Sequence, residues 1–231
     1  MNQKPHIAVI IPAFNEENSV GNVVRDIPKD WVQEIVVVNN NSNDQTAVNA
    51  AAAGAIVLDE PRQGYGYACL MGMDYLEKLE KRPDIIVFLD ADYSDYPEEL
   101  IEVVRPIIED DYDIVIGSRA LGKRERGSMT IPQVFGNWLA TTLLKWFYGV
   151  RYTDLGPFRA IKFDKLLALN MIDKTYGWTV EMQVKAAKQK MRSTEIAVNY
   201  RKRIGTSKVS GTVKGTVMAG YKIITTLFKY R

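Results

Sequence analysis

The sequence is poor in the residues that carry much of covalent catalysis. One residue in 231 is cysteine, Cys69, and one is histidine, His6. A single cysteine excludes an internal disulfide and any multi-cysteine metal site. Cys69 reads as a small packing residue in a helix. His6 precedes the first expected strand and reads as a surface residue, which leaves no Ser–His–Asp or Cys–His machinery. No run of 18 apolar residues occurs, so no transmembrane helix is expected. Met1 to His6 contains no apolar signal region. These absences together set the expectation of a cytoplasmic protein. There is no P-loop sequence. Gly64-Tyr-Gly66 is half of a dinucleotide fingerprint, but Cys69 stands where the third glycine belongs, so NAD is not expected. Net charge is only +2, and no nucleic-acid partner is expected. Acid is missing from one region altogether. Arg201 to Arg231 contain eight lysines and arginines and no aspartate or glutamate.

What is present is an ordinary globular composition, 46% hydrophobic and 25% charged, in a chain long enough for a full core. Ile85 to Leu89 is a continuous apolar run, the signal of a strand covered on both faces. It stops at Asp90-Ala91-Asp92. Pro97-Glu98-Glu99 then reads as a first helical turn. Two carboxylates at the carboxyl end of a parallel strand lie where open α/β sheets bind ligands. They suit a hard cation such as Mg²⁺, which is held by one or two carboxylates plus diphosphate oxygens.

Similar apolar runs at Ile7–Ile11, Glu34–Val38, Ala55–Leu58 and Asp113–Ile116 alternate with helical stretches reaching about Asp26, over 47–53, from Gly64 to about Lys81, and over 98–109. That alternation predicts an α/β fold with a doubly wound, mostly parallel sheet flanked by helices. Residues 120–131 are basic and glycine-containing and read as a binding loop. A helix over 133–148 carries Trp138, Leu139, Leu143, Trp146 and Phe147 on a broad apolar face, which reads as core packing. Thr153 to Ile161 is a turn running into a strand. A helix over 178–189 follows, then a strand-like stretch, Glu195 to Tyr200. Val213, Val217, Tyr221, Ile224 and Phe228 recur at helical spacing with lysines between them. That is an amphipathic, cationic C-terminal helix, with two readings: docking on the protein body, or peripheral contact with a membrane face.

The loops after the strands share one sheet edge and bring together Asn15, Glu16, Asn39 to Asp44, Asp90, Asp92 and Arg119. Amides and acids suit a base and a ribose, paired aspartates suit a metal, and arginines suit diphosphate oxygens. This is the layout of a nucleotide-diphosphate site.

Pro12-Ala-Phe-Asn-Glu-Glu17, Val38 to Thr46, Asp90-Ala-Asp92, Gly117-Ser-Arg119, Asp154-Leu-Gly-Pro-Phe-Arg159 and Arg203-x-Gly-x-Ser-Lys208 run in an order that resembles family 2 glycosyltransferases of the GT-A (Rossmann-like) fold. The branch they are most similar to is the dolichyl/polyprenyl-phosphate mannose or glucose synthases. The resemblance implies a metal-dependent, inverting transfer of a hexose from a nucleotide sugar, UDP-linked in preference to GDP-linked, to a polyprenyl phosphate. It implies Mg²⁺ or Mn²⁺ on Asp92, with Asp90 beside it or against the ribose and Ala91 between them. Pro12, Ala13, Asn15 and Glu16 would hold the nucleoside, and Asn40 and Asp44 would contact base or ribose. Arg119, Lys123, Arg124 and Arg126 would reach phosphates, and Arg203 and Ser207 would close over the donor. Asp154 is the acceptor-side aspartate. It is a base if the acceptor is a hydroxyl, an orienting group if the acceptor is an ionised phosphate, or a turn residue capping the strand. Asn39 and Asn40 stand where aspartates are usual, Ser94 where a glutamine is usual, and Tyr65 where a lysine is common. The expected division is a transferase domain over 1–210, with a donor half to about 119 and an acceptor half from about 120, followed by the helix 211–231. A sugar or small hydroxyl acceptor, a non-catalytic nucleotide-sugar binder and a nucleotidyltransferase are the alternatives.

Overall fold

The computed structural model describes residues 4–205 and 213–230. Seven strands, β1 (Ile7–Ala13), β2 (Val32–Asn39), β3 (Ile56–Asp59), β4 (Ile85–Phe88), β5 (Ile114–Ser118), β6 (Arg159–Lys162) and β7 (Ser193–Ala197), form one sheet in the order β3-β2-β1-β4-β6-β5-β7. The helices are α1 (Val20–Asp26), α2 (Thr46–Ala52), α3 (Tyr65–Glu77), α4 (Leu100–Asp110), α5 (Ile131–Tyr148), α6 (Phe163–Ala168), α7 (Trp178–Lys188) and α8 (Val213–Lys229). A single 3-10 turn at Pro97–Glu99 leads into α4.

β1 is buried along its whole length and pairs in parallel with β2 on one side and β4 on the other. Its side chains alternate between the two faces, as a strand's must. Ala8 and Ile10 join the cluster built with α3, α5 and α7, whereas Ile7, Val9 and Ile11 join the one built with α1 and α4. Every pairing is parallel except those of β6, which runs antiparallel to both β4 and β5. The segment that enters β6 therefore arrives at the edge that the parallel strands leave. That reversal brings Asp154 to the same rim as Asp90 and Asp92. The donor and acceptor halves expected from the sequence share this one continuous sheet.

Two local expectations are corrected, and one element is added. α5 does not bury the whole face read from its sequence. Leu144 and Ala140 point inward and Leu143 and Phe147 pack at the core's margin, but Trp138 and Trp146 are exposed. Apolar residues surround the helix, so composition alone could not say which side is covered. His6 is buried just before β1, at the sheet edge opposite Asp90 and Asp92, and its backbone N–H donates to Asp84. The short helix α6 occupies the stretch after β6 that carried no expectation.

α5 starts at a capping box formed by Thr130 and Gln133, with Pro132 in its first turn, and ends at Gly149 in the left-handed region. This is the pattern in which side chains and glycine satisfy the orphan groups of helix ends. α8 lies against α5 and α7. Phe228 packs on Phe147 with ring centroids 5.1 Å apart. The Tyr148 hydroxyl donates to the Leu227 carbonyl at 2.6 Å, and the Tyr230 hydroxyl donates to Glu181 at 2.7 Å. Leu227 is fully buried. The helix thus docks on the body along one side, while Tyr221, Ile224 and Phe228 keep substantial exposure. Among the described residues no helix is long and apolar enough to cross a membrane.

Gly66 shows how tightly the start of α3 is seated. A Cβ there would lie 2.0 Å from the backbone oxygen of Asp173. Backbone cannot swing aside as a side-chain end can, and overpacking of this kind costs about 1–3 kcal/mol. Gly66→Ala is expected to lower the unfolding free energy by that amount, seen as a lower urea midpoint with the slope unchanged. An unchanged midpoint would show that α3 and the 173–174 segment are free to separate.

Candidate active site

The site is built on the carboxyl edge of β1, β2, β4 and β5. Pro12 and Ala13, the last residues of β1, are buried, and the chain then turns through Asn15, whose φ of 52° is left-handed. Asparagine tolerates that conformation because its short polar side chain can bond locally. Here the Asn15 side-chain Oδ1 accepts from the Asn43 backbone N–H at 3.0 Å, and the Asn15 backbone N–H donates to the Ser42 hydroxyl at 3.0 Å. The Glu16 N–H donates to the Thr46 hydroxyl at 2.8 Å. The first two loops are thus stitched into one wall.

Asp44 accepts from the Thr46 and Glu17 backbone N–H groups. Partial burial opposes its charge, but these bonds and the Thr46 hydroxyl hold the carboxyl below its usual range. Asn40 is equally committed. Its amide donates to the carbonyls of Glu60 and Arg62 at 3.2 and 2.7 Å, and its oxygen accepts from the Gly64 N–H at 2.7 Å. Asn40 and Asp44 therefore also brace the rim, Asn40 against the 60–64 turn and Asp44 against the Glu17 and Thr46 backbone.

Gly64 and Gly66 do line the site, although not as a dinucleotide loop. They bring Tyr65 under β4, where its hydroxyl donates to Asp90 at 3.2 Å. Neither this contact nor the Glu60–Arg62 ion pair beside it, at 2.6 Å, was read from the sequence. The available signal was a glycine pair between a strand and a helix, at the edge already holding the other loops.

Three aspartates crowd the end of β4. Asp92 accepts from the Ser94 N–H and hydroxyl through one oxygen, at 2.9 and 2.5 Å. Its other oxygen meets the Arg203 guanidinium at 2.7 Å, and the same guanidinium nitrogen lies 3.3 Å from Glu16. Asp90 sits in protein surroundings beside Asp92. Burial and then the Asp92 charge push its carboxyl up to about 7. Asp95 is buried with neither oxygen hydrogen-bonded among the described residues, and burial followed by the Asp90 charge raises it well above the carboxylate range. Arg201 clamps this loop from above. Its guanidinium stacks between Tyr93 and Tyr96, 3.4 and 4.2 Å from the ring centroids, and donates to the carbonyls of Tyr93 and Asp95. Sequence reasoning passed over Arg201 and Asp95 because both needed the folded tail beside the loop to gain meaning.

Across the cleft, Asp154 is gripped by Arg119 through Nε and Nη2, at 2.7 Å each, and through the Arg119 backbone N–H at 2.8 Å. Burial works against the Asp154 charge, yet Arg119 holds its carboxyl below the usual range, and Asp154 keeps Arg119 charged despite its own burial. Glu195 fixes the turn from beneath by accepting from the Thr153 and Asp154 N–H groups. The buried Arg159 ties it off by donating to the carbonyls of Leu155 and Gly156. Lys123, Arg124 and Arg126 are exposed at the rim. Ser207 and Lys208 lie outside the described residues.

The residues fit a divalent cation on one specific ground. The Asp90–Asp92 pair concentrates negative charge at a strand end, and the chain's own cation, Arg203, shared with Glu16, offsets only part of it. No set of three or more carboxylate, imidazole or thiol groups converges on one point among the described residues. The protein offers two carboxylates, and further oxygens must come from a bound ligand, as is usual for Mg²⁺ beside phosphates.

The raised Asp90 makes stability depend on pH with a definite sign. An unfolded aspartate titrates near about 3.9, while folded Asp90 titrates at about 7. Between those values the folded state binds more protons, so stability falls as pH rises. Asp154 has the opposite sign, its contribution being lost only as pH falls below the unfolded value. Without added metal, Asp90→Asn is expected to flatten the decline in melting temperature between pH 5 and pH 8. Parallel curves for wild type and variant would contradict the assignment.

Residues 8–168 match the profile of the family described as Glycosyl transferase family 2. An uncharacterized glycosyltransferase of Mycobacterium tuberculosis is 34% identical over 221 residues, covering 92% of this chain and 94% of that protein. A dolichyl-phosphate hexose transferase of Haloferax volcanii is 29% identical over 218 residues, covering 92% and 90%. The fold is shared with glucosyl-3-phosphoglycerate synthase of Mycobacterium tuberculosis, crystallised with Mn²⁺, UDP and phosphoglyceric acid, at a TM-score of 0.75 and 20% identity over 98% of this chain and 78% of that one. The motif order, the sheet with its reversed β6 and the two-carboxylate strand end meet in one assignment: the chain belongs to glycosyl transferase family 2 and is a glycosyltransferase of the GT-A fold.

Proposed function

We propose that this enzyme transfers a hexose from a UDP-sugar to the phosphate of a polyprenyl phosphate, with inversion at the anomeric carbon. The observation that carries the acceptor half is the state of Asp154. A hydroxyl acceptor needs a base to take its proton as it attacks. Asp154 is a poor base, since both of its oxygens are bonded to Arg119 and its proton affinity is depressed. A phosphate acceptor is already ionised and needs none. Its oxygen attacks the anomeric carbon while the bond from that carbon to the UDP oxygen breaks on the opposite face, and no proton has to move. Asp154 then serves by holding Arg119 charged and oriented toward an anionic acceptor.

The donor half rests on Asp90, Asp92 and Arg203. Mg²⁺ or Mn²⁺ held by Asp92, with Asp90 beside it, would offset the charge that develops on the leaving diphosphate. Arg203, now spent on Asp92 and Glu16, is the chain's own group for diphosphate oxygens, and such preorganised cations act where charge develops. The stitched loops around Ala13, Asn15 and Glu16 form the nucleoside wall. The choice of UDP is supported by the ligand of the structural neighbour, and that of a lipid phosphate by the name of the haloarchaeal relative. In this division of labour residues 1–119 bind donor and residues from about 120 to 210 bind acceptor, with Arg203 crossing between them.

Ligand binding to the folded state raises its melting temperature by linkage. UDP with Mn²⁺ is expected to raise it, GDP to do so less, and Asp92→Ala to abolish the metal-dependent part. With radiolabelled UDP-glucose and polyprenyl phosphate, label is expected in the organic phase. Label appearing only on soluble hydroxyl acceptors would overturn the lipid-phosphate assignment and return Asp154 to the role of base.

A further inference from the structure

The outward side of α5 is apolar where a soluble helix should be polar. Ile131, Val134, Phe135, Trp138, Thr142, Lys145 and Trp146 fall within about a third of the helix circumference at 3.6 residues per turn, along about 22 Å of its axis. Ile131 is 86% exposed, Trp146 81%, Phe135 58% and Trp138 57%. The opposite side, with Ala140 and Leu144, is already buried in the core. A helix that is apolar all round is covered on every side in its working state, and an exposed contiguous patch marks an interaction surface.

Charge identifies what covers it. From Arg126 to Thr153 the chain contains no aspartate or glutamate, and from Ile196 to its end there is none either. These two stretches contribute α5 and α8, which pack together. Arg126 and Arg151 flank α5, and Lys145 sits beside Trp146 on the stripe; all three are exposed. A second copy meeting this face symmetrically would set cation against cation with no acid to pair. An anionic bilayer surface supplies both what the stripe needs and what its flanks need: an apolar boundary layer that takes tryptophan and phenylalanine, and phosphate charge for arginine and lysine.

We infer that the outward stripe of α5 is a docking surface for an anionic lipid bilayer, and that it seats the enzyme so that a lipid-borne phosphate reaches Arg119. This deepens the lipid-phosphate reading above and rests on it for its purpose. The mechanical link is Asn137. Its amide donates to the Thr153 carbonyl at 2.9 Å and its oxygen accepts from the Leu155 N–H at 2.8 Å, so α5 grips the turn on both sides of Asp154.

The test uses the full chain with vesicles of phosphatidylcholine alone or mixed with phosphatidylglycerol. Trp178 is buried and Trp31 is partly covered, so a membrane-induced change reports chiefly on Trp138 and Trp146. Wild type should show blue-shifted emission and quenching by brominated acyl chains with the anionic vesicles, and much less with the neutral ones. Trp146→Ser should weaken vesicle partitioning at least fivefold, and Trp138→Ser/Trp146→Ser more, with melting temperatures kept and turnover of a short, water-soluble isoprenyl phosphate unchanged. Wild-type emission indifferent to anionic vesicles overturns the docking, as does a micromolar dimer that the variants dissociate while vesicle binding persists. Turnover of the soluble acceptor without vesicle binding sinks the docking and spares the proposed reaction. Vesicle binding without turnover of any polyprenyl phosphate sinks the reaction and spares the docking.

Discussion

Like charges crowded at the end of β4 are the constraint around which the site is arranged. Two carboxylates flanking one residue repel each other, and burial raises the cost of ionising both. The fold answers with cations delivered from far along the chain. Arg203 reaches Asp92 and Glu16, and Arg201, wedged between Tyr93 and Tyr96, fastens the segment that carries Arg203. The Ile204 N–H donates to the Asp92 carbonyl and the Arg201 N–H to that of Ser94, so the tail is laid as backbone across the acidic loop. Burial and then the Asp92 charge still push the Asp90 carboxyl up to about 7. A divalent cation and a diphosphate would satisfy this arrangement more fully than one guanidinium, which is why the electrostatics point to a nucleotide-sugar donor.

The second carboxylate centre is balanced differently. Asp154 and Arg119 form a closed, bidentate pair inside the protein, braced by Glu195, Gln183 and Asn137. Removing one member of such a buried pair typically costs about 3–5 kcal/mol because the other is left uncompensated. One carboxylate centre is thus short of positive charge and the other is saturated. That contrast distinguishes the proposed donor side from the proposed acceptor side more sharply than any motif does.

Much of this was legible in the sequence, for identifiable reasons. The β4 run ending at Asp90 and Asp92 announces both a buried strand and its polar terminus, and the same logic locates β1, β2 and β5. The direction of β6 was not legible, because an apolar run reads the same in either direction. Only pairing with β4 and β5 shows that Asp154 enters its strand at the catalytic edge rather than leaving it there. Asn40 and Asp44 were singled out for their chemistry, but the hydrogen bonds by which they also brace the 60–64 turn and the start of α2 are partners that residue type does not disclose. Tyr65 and Arg201 acquire their roles only when distant segments close on Asp90 and on Tyr93. On α5 the difficulty is one of degree: tryptophans at 138 and 146 are as compatible with a core as with a surface, and the neighbouring helices decide.

The central claim is that the Asp90–Asp92 strand end receives a metal-bound nucleoside diphosphate and that Arg203 exchanges Asp92 for it. The most direct measurement is a crystal structure with Mn²⁺ and UDP, with data collected at the manganese absorption edge. The account predicts one anomalous peak bonded to the Asp92 carboxylate and to diphosphate oxygens, with Arg203 turned from Asp92 onto the diphosphate. UDP bound with no manganese at Asp92, or manganese bound elsewhere with the Arg203–Asp92 pair intact, would contradict it.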